Sequence, residues 1–214
     1  MKKMRKMLVA IGLLAAFAVW TVLVCLVDVQ PIGPLGTSVG LATFNRAVHE
    51  WTGVHLKLYV LTDWLEWIPL GICVGFGALG LWQWIKRKKL RYVDRSIIVL
   101  GGFYLVTIAA FVLFEQVVIN YRPILIEGCL EASYPSSTTM LVLCVMPAAM
   151  LQLKGRIGNK AVRNIASAVM AVYTAFMVVG RLASGVHWAT DIIGSVLISA
   201  GLVFLYYAVE KRLK

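Results

Sequence analysis

Arg181, His187 and Asp191 fall within eleven residues of one another, in a stretch from Gly180 to Asp191 that interrupts otherwise hydrophobic sequence. Ionisable groups at the ends of apolar helices are costly to place, so they mark a site. His187 and Asp191 are four residues apart and share one face of a helix. An imidazole can act as a nucleophile or proton carrier, and a carboxylate one turn away can fix its tautomer. Arginine offers a planar fork of donors matched to phosphate oxygens, and a second arginine, Arg122, stands before Pro123. A run of hydroxyl residues from Ser136 to Thr139 follows Pro135. At a helix start, free N–H groups and the helix dipole favour an anion. The hydroxyls of Ser136, Ser137 and Thr138 either add donors to that anion or cap the helix. Two arginines, a helix start and a His–Asp pair point to phosphoryl transfer from an anionic substrate. Too few histidines and carboxylates converge here to suggest a metal.

The elements that must position these groups are membrane helices. Of the 214 residues, 60% are hydrophobic and 14% charged, and the mean hydropathy is +0.83. Several apolar runs reach spanning length, which excludes an ordinary soluble domain. The net charge of +11 suggests nucleic acid at first, but the cations sit in short clusters between apolar runs. Nucleic acid is therefore not an expected partner. Cys25, Cys73, Cys129 and Cys144 show neither metal-type nor disulfide-framework spacing.

Six spans are expected: Met7 to about Val29, Thr62 to Ile85, Ile97 to Ile119, Pro135 to Leu153, Ile165 to Ala183, and His187 to Tyr207. The basic start and first apolar run resemble a signal peptide, but the run is long enough to read as an uncleaved first helix. Between the first two spans, Leu41, Phe44, Val48, Trp51 and Leu58 recur at helical steps, predicting an amphipathic helix in the membrane interface. Gly71, Gly75, Gly77 and Gly80 suggest a face for close helix packing. Of the 21 lysines and arginines, 17 fall at the termini or in the loops after spans two and four. The positive-inside rule then puts both termini in the cytoplasm. Arg122, Ser136, Arg181, His187 and Asp191 all come out at the opposite, extracytoplasmic end. The expected architecture is an all-α integral membrane protein of the cell membrane, a single domain over residues 1–214. It is a six-transmembrane-helix bundle with an amphipathic helix in its first extracytoplasmic loop.

These residues resemble the signature of the type 2 phosphatidic acid phosphatase superfamily over residues 115–191. The family's motifs are Lys, six residues, Arg-Pro; then Pro-Ser-Gly-His; then Ser-Arg, five residues, His, three residues, Asp. Here they correspond to Arg122-Pro123, to Pro135-Ser136, and to Arg181, His187 and Asp191 at full spacing. The resemblance implies a six-helix membrane lipid phosphatase that needs no metal or other cofactor. It implies that Arg122, Arg181 and Ser136 bind phosphate, that His187 attacks phosphorus to form a phosphohistidine, and that Asp191 orients it. The substrate would be a lipid phosphate or a polyprenyl diphosphate.

Three positions depart from the pattern. Glu115 stands where the first motif has lysine, Gly180 replaces the serine before Arg181, and Thr138 replaces the second motif's histidine, the family's general acid. An alkoxide leaving group, with a conjugate-acid pKa of about 15, needs a proton as it departs. A phosphate leaving group, near about 6, needs it far less. The sequence therefore predicts slow hydrolysis of simple monoesters and a preference for diphosphates. Glu115 is expected to pair with Arg122, with replacement of the lost acid as the alternative, and His49 and His55 are weaker candidates for that acid. The competing reading is a catalytically impaired protein of the same fold that binds or transports lipid phosphate.

Overall fold

The computed structural model describes residues 2–210; the expected basic cluster Lys211, Arg212 and Lys214 lies outside them. The chain is all-helical: α1 (Lys2–Leu26), α2 (Ala42–Thr52), α3 (Leu56–Leu65), α4 (Trp67–Arg87), α5 (Arg95–Gln116), α6 (Ser137–Arg156), α7 (Lys160–Ala183) and α8 (Ala189–Glu210). Among the described residues, six segments are long and apolar enough to cross a membrane, with α3 and α4 together forming the second, Leu56–Arg87. The protein is a multi-pass membrane protein.

α6 and α8 are the inner helices, with 61% and 56% of their most apolar windows buried, against 11–22% in the other spans. In lipid there is no hydrophobic drive between helices, so close approach and hydrogen bonds must hold them. α1 lies along α8, where a Cβ at Gly201 would meet Leu14 at 2.7 Å. Trp20 Nε1 donates to the Thr190 carbonyl at 3.2 Å. The Thr21 and Tyr134 hydroxyls lie 2.7 Å apart. Phe17, Phe103, Tyr134, Met140, Leu202 and Tyr206 belong to the main buried cluster.

The second span is longer than expected and broken. Pro69 has no N–H to donate to the carbonyl four residues back, Leu65. That carbonyl instead accepts from the Tyr173 hydroxyl of α7 at 2.8 Å. The helical hydrogen-bond ladder is interrupted at Glu66, between α3 and α4, where the backbone keeps φ −58° and ψ −20°.

The amphipathic helix is likewise shorter than the predicted 41–58. It stops at Thr52, because Gly53 turns out of the helix at φ +67°, and Leu58 belongs to α3. Phe44 and Trp51 face away from the protein, as an interfacial helix requires, while Asn45 faces inward. Its side chain donates to Gly40 O (2.9 Å) and Thr190 Oγ1 (3.0 Å) and accepts from Thr190 N (3.2 Å). The expected glycine-packed face of α4 is not formed. A Cβ would meet nothing within 4 Å at Gly71, Gly75 or Gly77, and only Gly80 is close to a neighbour, Ile97.

Gly180 does serve packing. A Cβ there would approach Thr62 Cγ2 to 2.9 Å, so glycine in the family's serine position lets α3 lie against α7 next to Arg181.

Candidate active site

The ends of α5 and α7 and the starts of α6 and α8 meet at one end of the bundle, with α3 laid across them. The loop from α5 to α6 is pinned by Arg122 N to Glu131 O (3.0 Å) and Ser133 N to Asn120 O (2.9 Å). This pairing turns Arg122 inward, where it is 9% exposed. Arg181 comes from the last turn of α7 and is 1% exposed. His187 sits in the tight connection from α7 to α8. Gly185, at φ +70°, allows that connection to turn against Gly53, whose carbonyl oxygen a Cβ would approach to 2.1 Å.

The two arginines meet at the imidazole. Arg181 Nη2 lies 3.3 Å and Arg122 Nη1 3.5 Å from His187 Nε2. Guanidinium groups only donate, so Nε2 is the acceptor and the ring proton sits on Nδ1. Burial, and then the charges of Arg122 and Arg181, hold the His187 pKa well below the ordinary histidine range; a backbone contact at Ser133 opposes them. The result is a neutral imidazole whose lone pair faces the phosphate-type donors.

Asp191 lies 3.6 Å from Nδ1 through Oδ2, beyond hydrogen-bond range. Its oxygens are already engaged: Oδ2 accepts from Trp188 N at 2.9 Å and Oδ1 from Asn120 Nδ2 at 3.3 Å. Asp191 thus caps the start of α8 in the capping-box manner and presents a fixed carboxylate to the histidine. Asn120 was not singled out in the sequence, since nothing in its spacing links it to a residue 71 positions away.

The hydroxyl run divides. Ser136 precedes α6 without capping it, and its Oγ is buried with no partner among the described residues. No side chain caps the first turn of α6, leaving N–H groups there for an anion. Ser137 is half-buried and lines a cleft beside His187. Thr138 is not directed to a phosphate subsite. Its hydroxyl donates to Glu66 Oε2 at 2.5 Å.

Each arginine has a carboxylate of its own. Arg122 Nε pairs with Glu131 at 2.9 Å, and not with Glu115, which is exposed at the end of α5. Arg181 Nη1 lies 3.7 Å from Asp63 and 3.5 Å from Thr62 Oγ1. The Tyr59 ring lies 5.1 Å from the Arg181 guanidinium and 5.9 Å from that of Arg122, within cation–π range. None of these α3 residues carries a local sequence signal. The predicted interfacial region is nevertheless tied to the site: His49 Nε2 lies 3.1 Å from Gly185 O, and His55 N donates to Ser184 O at 2.9 Å.

Comparison with known proteins finds similarity to one family in this region. The PAP2 superfamily model matches residues 117–214, the segment that holds every residue of the Arg122–His187–Arg181 cluster. No curated protein sequence matches the chain. Among solved structures, the chain is similar to a transmembrane PAP2-type phosphatidylglycerolphosphate phosphatase from Bacillus subtilis. The TM-score is 0.58 at 17% identity, covering 96% of this chain and 97% of that one. The chain thus matches the PAP2 superfamily model over residues 117–214 and shares the fold of a transmembrane PAP2-type phosphatase over nearly its whole length.

Proposed function

We propose that this protein is a membrane phosphatase that hydrolyses a lipid phosphate or polyprenyl diphosphate at the extracytoplasmic face through a phosphohistidine. The observation that carries the reading is the position of His187 Nε2, within 3.5 Å of two buried arginines. The phosphoryl group binds between Arg122, Arg181 and the first turn of α6, and Ser136 Oγ donates to it. The Nε2 lone pair attacks phosphorus, and the imidazolium-like charge that develops is met by Asp191 beyond Nδ1. Water then releases phosphate from the histidine. The lysines and arginines clustered at the other end of the bundle support an extracytoplasmic site. The neighbour from Bacillus subtilis acts on phosphatidylglycerolphosphate, as its name states, a phosphomonoester lipid of the kind proposed here.

The test is phosphate release by purified protein in detergent from phosphatidic acid and from a polyprenyl diphosphate. His187→Ala is expected to abolish release from both, and acid-quenched wild type to carry a labile phosphoryl group that the variant lacks. Release that persists in His187→Ala overturns the mechanism. The Arg122–Glu131 pair favours a second reading, a binding protein with its cation occupied. Bound phosphate without release in wild type would support it.

A further inference from the structure

We propose that Glu66, held by Thr138, is the proton donor and acceptor of this site; the proposal rests on the phosphohistidine reading above. Breaking a P–O bond to an alkoxide requires a proton at the leaving oxygen. The helix-start position where an imidazole is missing, Thr138, is where the structure delivers a carboxyl: Thr138 Oγ1 donates to Glu66 Oε2 at 2.5 Å. Glu66 reaches that point because Pro69 breaks the second span just beyond it, with Tyr173 taking the Leu65 carbonyl.

The other acids near the site are committed. Glu131 pairs with Arg122 at 2.9 Å and Asp63 lies 3.7 Å from Arg181. Asp191 lies behind the imidazole with both oxygens accepting. Glu115 is exposed and lines the cleft beside His187, but no hydrogen bond or ion pair joins it to the site among the described residues. No ion pair to Glu66 is found among them either. With Oε2 accepting from Thr138, Oε1 is the oxygen left to deliver the proton in the proposed step.

The surroundings of Glu66 also suit a leaving oxygen. That atom bridges phosphorus to the lipid body, so its donor belongs between a cationic pocket and an apolar one. Glu66 and Ser137 line a cleft of about 270 Å³ between α4, α5 and α6, whose other walls include Leu70, Ile108, Phe111 and Leu141. One turn before Glu66, Thr62 Oγ1 accepts from Arg181 Nη1 at 3.5 Å.

The proton balance closes over two steps. His187 Nε2 forms its bond to phosphorus as the P–O bond breaks, and the leaving oxygen takes the proton from Glu66. Water then attacks the phosphohistidine, the N–P electron pair returns to Nε2, and the water proton goes to the Glu66 carboxylate. On this proposal the site has an acid in place of the missing imidazole, and monoesters become expected substrates.

The experiment compares wild type, Glu66→Gln and His187→Ala on two lipids by rapid acid quench. One is phosphatidic acid; the other is a nitrophenyl phosphate bearing a long alkyl chain, whose leaving group departs without a proton. In Glu66→Gln, phosphohistidine formation from phosphatidic acid should fall roughly 10²–10⁴-fold. The nitrophenyl lipid should still give a burst of about one equivalent of nitrophenol, which also shows that the variant is folded. The phosphohistidine should then persist, because the base for water is gone. Equal losses with both lipids, no loss with either, or no burst would each overturn the role of Glu66. A wild type with no phosphohistidine at all would instead overturn the underlying mechanism.

Discussion

His187 is buried beside two guanidinium groups that oppose its cation, and this has a thermodynamic consequence beyond reactivity. An unfolded histidine titrates near about 6.5, while the folded one stays neutral well below that. With the folded pKa depressed, the stability this residue permits is complete above about pH 6.5 and declines as pH falls toward the folded value. The limiting slope is about 1.4 kcal/mol per pH unit. Thermal unfolding in detergent between about pH 7.5 and about 5.5 should destabilise wild type by about 1 kcal/mol more than His187→Asn. Equal pH dependence in the two would show that the imidazole is not held neutral. At this scale much was legible. Arg181, His187 and Asp191 declare themselves by spacing within one short stretch, and Arg122 and Ser136 by standing at the ends of spans. Glu66 and Asn120 were not legible, because Glu66 meets Thr138 across 72 residues and Asn120 meets Asp191 across 71. No local pattern encodes such a pairing.

The element that brings the unforeseen groups in is the broken span of α3 and α4. The sequence carried part of the signal, since Pro69 lies inside the expected second span. Its meaning depended on Tyr173 of α7, which takes over the freed carbonyl. Tyr173→Phe leaves that acceptor without its partner and should cost about 1–3 kcal/mol. Adding Pro69→Ala restores the missing N–H and should recover most of this stability, giving a clear non-additivity. The straightened helix should, however, withdraw Glu66 from Thr138. The double variant is therefore expected to be stable yet slow in phosphate release from phosphatidic acid. Additive stability losses would mean that the break does not depend on the proline. Gly180 shows the same limit of sequence reading: its exchange for the family's serine looks minor until α3 is found packed against it.

For the whole molecule, the six spans and their polar end followed from hydropathy and charge, because lipid leaves the backbone little choice but helices. Which helices lie inside did not follow: all six spans are apolar, yet only α6 and α8 are largely buried. The orientation can be tested with Cys129, an exposed cysteine in the loop before α6. In a variant retaining Cys129 alone, a membrane-impermeant maleimide should label intact cells. A single cysteine from Lys88→Cys, in the basic loop after α4, should react only after permeabilisation. The reverse pattern would place the site in the cytoplasm.

Arg122 with Glu131 and Arg181 with Asp63 make the resting pocket charge-balanced, with counter-ions that are 41% and 57% exposed. Such a pocket works as an ion exchanger. A phosphodiester headgroup, with one negative charge, merely swaps for a carboxylate and gains little. A phosphomonoester, carrying about −1.5 to −2 at neutral pH, outbids either carboxylate alone. On the proposed function, the bulk phosphodiester lipids around the protein would then be excluded by valence, without any contact to the rest of their headgroups.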